Sequence, residues 1–429
     1  MFKRISIDFI SRIEGHAGLY VEIDPDRRSV GRVEFRIFEG IRLFEVFLVG
    51  RKAEEVPLLV SRICGLCGHA HAICAVKAME EAMGIAASPD VEALREVIAI
   101  LSTIRSHLIH ITLLSLPDFY GCRSVLELPA DVKMRARELV RVLGNVNRCL
   151  IALCGGEVHP RNIVMGGFSR LPSQGEVRMI QSSLYDIGRV IEGFLLERGK
   201  DLMVPHDERT THYVALHDNE CYPLTRGDLM VDSRLVIPKR EFKRHFIEFV
   251  VPYSTSKRYL MYGRDPYMVG SLARLNTNHE YTDSRIRGLL EYLGVKLPSC
   301  NPFMIPLAQL IEVVILATRA IELLHEAKPT RVRTKLRLKA GMGECLIEVP
   351  RGLLYHKYGI NEHGRVTEVD IITPTVQNKA DIEESVRTTL TTIMKMKENL
   401  STKDLKELCE FVVRCYDPCI SCSVHLVTL

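Results

Sequence analysis

Two pairs of thiols, Cys64 with Cys67 and Cys419 with Cys422, stand near opposite ends of the chain. In a tight turn or a helix's first turn, CxxC spacing aims both sulfurs at one point, so each pair is half of a metal site and needs ligands from elsewhere. The first pair lies in Arg62-Ile63-Cys64-Gly65-Leu66-Cys67-Gly68-His69-Ala70-His71, with His71 one turn further on. The second lies in Asp417-Pro418-Cys419-Ile420-Ser421-Cys422-Ser423-Val424-His425.

Three ordinary chemistries compete for these residues. A structural zinc module gathers its ligands within a few tens of residues, whereas almost the whole chain separates these pairs. A redox dithiol uses a CxxC whose thiol pKa is lowered near a helix start, which leaves the other pair unexplained. An iron-sulfur cluster on Cys409, Cys415, Cys419 and Cys422 would need a C-x5-C-x3-C-x2-C run that matches neither common ferredoxin spacing. The other cysteines are scattered and read as small packed hydrophobes. Four thiolates together favour a soft, thiophilic transition metal, and the residues alone carry the reading no further.

The elements that must position these thiols are legible from periodicity. Alternation at Ile5-Ser6-Ile7, Leu19 to Ile23 and Val33 to Ile37 predicts a small antiparallel sheet, with Glu14-Gly15 and Glu39-Gly40 at strand ends, where plain turns are the ordinary reading. From Cys67 a small-residue helix follows, and Ser88-Pro89 opens a long helix to about Leu114. Helical periodicity returns at 131–153, 174–198, 286–293, 305–327 and 380–398, and a last helix at 402–416 delivers the second CxxC. Strands are expected at 345–349, 353–355 and 366–372, and strand and loop over 201–285. The fold class is therefore α+β: a mainly helical core of long helices, with small antiparallel sheets near the N-terminus and in the C-terminal third. With no repeat or low-complexity linker, residues 1–429 read as one large domain.

The chain has 429 residues, 47% hydrophobic and 26% charged, with 57 basic against 53 acidic side chains. That balance, with no basic run, argues against nucleic acid. The charged, alternating start predicts no secretory leader, and Gln309, Glu312, Arg319 and Glu322 make 305–327 a buried helix instead of a transmembrane segment. Thirteen cysteines then suggest reduced thiols in a cytoplasmic setting.

At these residues the sequence resembles the large, catalytic subunit of [NiFe]-hydrogenases, most closely the cytoplasmic, cofactor-coupled NAD(P)-linked group. Arg62 to His71 matches the family's RxCGxCxxxH box and Asp417 to His425 its DPCxxCxxH box. Arg12-Ile13-Glu14-Gly15-His16, Phe38-Glu39-Gly40, the His107 to Asp118 segment, His159-Pro160-x-Asn162, Val349-Pro350-Arg351-Gly352 and Thr373-Pro374-Thr375 agree as well, whereas residues 175–260 offer no match. The resemblance implies reversible heterolytic cleavage of H2 at nickel held by Cys64, Cys67, Cys419 and Cys422. Cys67 and Cys422 would bridge to an iron carrying carbon monoxide and cyanide. Cys419 would accept a proton and Glu14 pass it outward, so the turn reading of Glu14 yields here. Arg351 would lie over the open position, held by Asp118 and Asp417. Pro374 and Thr375 would serve a cyanide nitrogen, and His71 would sit near a bridging sulfur, in a structural or a catalytic role. Glu39 and His425 match ligands of magnesium or a similar hard ion.

The chain has no dinucleotide fingerprint and no ferredoxin-type cysteine run, so electrons need partners. The resemblance implies a small subunit carrying the iron-sulfur clusters, and flavin- or NAD(P)-linked subunits. Residues 426–429 follow His425 and match a propeptide removed by a maturation endopeptidase. An H2-sensing regulatory subunit would keep the same cysteines and is the alternative reading; a quinone-binding relative would lack them.

Overall fold

The computed structural model describes residues 3–206, 209–327, 332–334, 338–397 and 400–424. Strands β1 (Lys3–Ile7), β2 (Ala17–Asp24) and β3 (Ser29–Ile37) form the expected antiparallel sheet, with Ile5 opposite Val21 and Leu19 opposite Phe35. Its inward residues, Ile5, Leu19, Val21 and Phe35, are fully buried, the period-2 outcome of a sheet covered on one face.

Long helices make the centre: α1 (Gly68–Met83), α2 (Pro89–Ile109), α3 (Ala130–Cys154), α4 (Gln174–Arg198) and, further on, α6 (Ile305–Glu326). Ser88 caps α2 by accepting from Val91 N with Pro89 at the first turn, and Ser173 with Glu176 forms a capping box on α4. Helix α6 packs between α2 and α4, and α2 also packs on α3. The segments Pro89–Phe119 and Pro302–Glu326 are apolar and long enough to cross a membrane, yet both are mostly buried inside the fold. Between α4 and α6, residues read as strand and loop form short strands, including His212–His217, and helices the periodicity did not indicate, the four-residue Phe242–His245 and α5 (Ser271–Asn278).

The second sheet is antiparallel: β4 (Gly341–Val349), β5 (Gly352–Ile360) and β6 (Val366–Ile372). Val349 pairs with Gly352, so Pro350 and Arg351 are the whole tip of the β4–β5 hairpin. The hairpin lies against α1, where a Cβ on Gly343 would meet Ala78 O at 2.2 Å and Ala82 N at 2.3 Å. Alanines on α1 and glycines on β4 allow that approach. Helices α7 (Pro374–Met396) and α8 (Thr402–Cys415) close the chain.

Strands β4 and β5 run longer than expected, and two helix boundaries differ as well. Helix α2 runs into a π-helical turn, His110–Ser115, before a short helix Leu116–Phe119. Helix α7 begins at 374 instead of 380, because Pro374 suits a first turn and Thr373 is already extended ahead of it. That earlier start places Pro374 and Thr375 at the end of α7 facing the cysteines.

Candidate metal centre

The two CxxC segments meet although one precedes α1 and the other follows α8. Cys67 is the residue just before α1, and Cys419 just before the short turn Ile420–Ser423. Cys64 Sγ lies 3.2 Å from Cys419 Sγ, Cys67 Sγ 3.1 Å from Cys422 Sγ, and Cys419 Sγ 3.0 Å from Cys422 Sγ. All four sulfurs lie within 4.8 Å of one another, and none of the four residues is more than 5% exposed. Among the described residues no other cluster of His, Cys, Asp or Glu has such a geometry.

Backbone contacts fix the pairs. Leu66 N donates to Cys64 Sγ at 3.2 Å, Cys419 N to Thr375 Oγ1 at 3.0 Å, and Thr373 Oγ1 to Cys422 O at 2.8 Å. Cys67 immediately precedes α1, and Pro374 and Thr375 at the start of α7 line the same cavity as the cysteines, so the positive dipole ends of both helices lie at the site and favour negative charge there. Burial pushes the Cys419 and Cys422 thiols up, while hydrogen bonds from Cys419, Cys422 and Cys64 hold Cys67 well below the ordinary thiol range.

Arg351 stands above the thiols. Burial opposes its charge, but Asp417, Cys419, Cys64 and Cys67 hold it firmly cationic. Its Nη2 donates to Asp417 Oδ1 at 2.8 Å and its Nε to Asp417 O. Asp417 has φ 50°, a left-handed conformation at the end of α8, where its N–H closes on Arg414 O at 2.9 Å. Arg351 Nη1 and Asp417 Oδ2 are buried without a partner. A cavity of about 10 Å³, lined by Cys67, His71, Arg351, Pro374, Cys419 and Cys422, lies there, close to the space one small molecule such as water requires.

Glu14 reaches the same segment from the N-terminal sheet. It bridges Cys419, its carbonyl accepts from Ile420 N at 3.1 Å, and its carboxylate accepts from Ser421 N at 3.0 Å and from Ser421 Oγ. It is half-buried, at the boundary between site and surface. His71 Nε2 lies 3.7 Å from Cys422 Sγ, and its Nδ1 lies 3.0 Å from His356 Nε2, whose other nitrogen is 2.7 Å from Tyr358 Oη. The sequence reading missed His356, which alternation on β5 could have placed on the inward face.

Asp118 corrects an expectation. It binds Arg12 at 2.7 Å and Arg414 at 2.8 Å, both buried or nearly so, and Asp417 takes Arg351. The π turn after α2 carries the chain toward Arg12, whose Nη1 also donates to Leu114 O at 2.5 Å. Asp118 thus ties the loop bearing Glu14 to α8, which leads into the second CxxC. Glu39 Oε1 accepts from His16 N at 2.9 Å. His425 and residues 426–429 lie outside the described residues.

Four buried thiols packed to mutual contact suit one soft metal or a closely spaced pair. Arg351, whose Nη1 is unpartnered, lines the same small cavity as Cys67, Cys419 and Cys422, so the residues fit a metal group that brings its own ligands. Fold and site together define a large helical α+β subunit with a buried four-cysteine metal centre.

Residues 42–153 and 303–425 match the model of the nickel-dependent hydrogenase family. The alpha subunit of sulfhydrogenase 1 from Pyrococcus furiosus is 35% identical over 439 residues, covering 100% of this chain and 99% of that protein. The corresponding polypeptide of the F420-non-reducing hydrogenase of Methanothermobacter marburgensis is 28% identical over 99% of this chain and 95% of its own. A solved NAD+-reducing [NiFe]-hydrogenase in the H2-reduced state shares 26% identity and a TM-score of 0.85 over 99% of each chain. A Ni-Fe-Se hydrogenase of D. vulgaris Hildenborough shares the fold, with a TM-score of 0.78 at 19% identity over 99% of this chain and 100% of that one. The chain belongs to the nickel-dependent hydrogenase family and is the catalytic large subunit of a NiFe hydrogenase, whose alpha-subunit relatives imply a small-subunit partner.

Proposed function

We propose that this subunit splits H2 reversibly into protons and electrons at nickel held by Cys64, Cys67, Cys419 and Cys422, with the electrons passing to iron-sulfur clusters of the partner. The observation that carries this reading is the set of four buried sulfurs within 4.8 Å of one another under the unpartnered Arg351 Nη1. Nickel, with an iron shared by Cys67 and Cys422 and carrying carbon monoxide and cyanide, would supply the place where H2 is polarised and its electrons are accepted.

The chain's own residues handle the proton and orient the reactants. Cys419 Sγ receives the proton, and Glu14, bonded to the same backbone segment, passes it from the buried site toward the surface. Arg351 fixes positive charge over the cavity, held by Asp417. Thr375 Oγ1 accepts from Cys419 N and would have its hydroxyl hydrogen free to donate to a cyanide ligand, with Pro374 beside it, and His71 holds Cys422 Sγ in place. Asp118 acts through Arg12 and Arg414. Glu39, with His425, is assigned to magnesium or a similar hard ion.

The likeness to an NAD+-reducing enzyme supports flavin- and NAD(P)-linked partners. All thirteen cysteines are free thiols, which supports a cytoplasmic setting. We read 1–429 as one working unit whose segment 426–429 is removed by an endopeptidase on maturation.

Elemental analysis and infrared spectroscopy of the native complex test this. Nickel and iron near one each per large chain, with carbonyl and cyanide bands and H2-dependent reduction of a viologen dye, are expected. Zinc without those bands would sink the assignment. Nickel and the bands without turnover on any soluble acceptor would favour H2 sensing.

A further inference from the structure

Arg274 lies on α5, within the stretch for which the sequence pointed only to strand and loop, and its side chain is fully buried. Its Nε and Nη2 grip Glu312 at 2.5 and 2.7 Å, and Nη1 reaches Glu348 at 2.8 Å. The remaining two N–H groups donate to Val349 O at 2.9 Å and Pro350 O at 3.2 Å, so all five guanidinium donors are used. Val349 and Pro350 are the two residues immediately before Arg351, and Pro350 shares the hairpin tip with it.

The two carboxylates are themselves anchored from opposite sides. Glu312 on α6 also accepts from His107 Nε2 and Tyr222 Oη, each at 2.7 Å, and Glu348 on β4 accepts from Leu216 N at 2.8 Å. On the far side of Arg351, Asn378 Nδ2 on α7 donates to Arg351 O at 3.3 Å. A side chain whose only job was to neutralise two buried carboxylates would not need to spend two donors on the carbonyls of a hairpin tip.

We propose that Arg274 is a positioning residue for Arg351: held by Glu312 and Glu348, it grips the Val349 and Pro350 carbonyls and so sets where the Arg351 guanidinium stands over the thiols. The inference rests on the role given to Arg351 above. A fixed guanidinium matters because misplacing a polarising group by about 1 Å costs on the order of 100-fold in rate. Arg274→Lys keeps the charge between the carboxylates and loses the fork that reaches the carbonyls.

The test is a double-mutant cycle on the native complex with Arg274→Lys and Arg351→Met, read as kcat and KM for H2, nickel content, thermal midpoint and the crystal structure of the Lys variant. Expected for Arg274→Lys are wild-type nickel, a lowered midpoint from the lost buried hydrogen bonds, an unchanged KM, kcat lower by about 10- to 100-fold, and Arg351 Nη2 displaced from Asp417 Oδ1. The double variant should turn over no more slowly than Arg351→Met alone, since neighbours acting as one unit are not additive. Wild-type kcat in Arg274→Lys, or losses that multiply in the double variant, would overturn the inference while leaving Arg351's role intact. Wild-type kcat in Arg351→Met would overturn that role and the inference with it. Should Arg274→Lys fail to hold nickel, the same cycle is read on Glu348→Gln under the same criteria.

Discussion

Arg351 Nη2 lies 2.8 Å from Asp417 Oδ1, and the pair leaves one nitrogen and one oxygen, Nη1 and Oδ2, buried with no partner. Asp417 sits in a left-handed turn just ahead of Pro418 and Cys419, while Arg351 is at a hairpin tip. An ion pair so placed costs stability to bury and leaves a donor of Arg351, which lines the cavity, and an acceptor of Asp417 unused, the arrangement of a group kept for chemistry.

Replacing Arg351 by Lys keeps a charge but removes the planar fork. Turnover of H2 should fall by about 100-fold, with nickel content unchanged, as measured by dye reduction alongside elemental analysis. Loss of nickel would instead assign Arg351 to assembly of the centre.

Glu14→Gln retains an oxygen that can accept from Ser421 N, so the fold and nickel content should hold. Removing the transferable proton should lower turnover by about 100-fold. An unchanged rate would route the proton elsewhere.

Gly15 has φ +82°, and a Cβ there would meet Glu39 Oε1 and Ile420 Cβ, each at 2.6 Å. Gly15→Ala should push the Cys419–Cys422 segment away from the first pair and lower nickel occupancy of the purified complex. Full occupancy would show that the segment moves without opening the site.

Glu45, in the short helix Phe44–Leu48, accepts from Ile371 N at 2.8 Å, and burial pushes its carboxyl up from 4.5 to about 7. Between those values the folded chain binds more protons than the unfolded one. The contribution of this group is therefore fully present below about 4.5 and is lost as pH rises through about 7. Glu45→Gln keeps an acceptor for Ile371 N without the titration. It should raise stability above pH 7 by roughly 2 kcal/mol and flatten the profile below it, as read from denaturant unfolding across pH. A variant less stable than the wild type at pH 8 would contradict this.

The helices α3, α4 and α8 were readable because each carries an amphipathic stripe, and α4 and α8 also carry an N-terminal serine cap, local signals that need no partner. Strands β1 to β6 were readable for the same reason, though β4 and β5 extend beyond the stretches expected. Helix α5 was not, since it is only eight residues long and buries Arg274, Asn276 and Asn278 with its leucines, so its polar residues read as loop.

By itself the sequence determined the thiol inventory, the CxxC spacing and the residue types flanking them, because spacing within one turn is a local property. Only the tertiary structure decided which carboxylate meets which arginine: Asp417 takes Arg351, and Asp118 takes Arg12 and Arg414. It also decided that Arg274, Glu312 and Glu348 converge behind the hairpin tip. Those pairings join residues far apart in the chain, and long-range partners are chosen by the packing of whole helices and sheets.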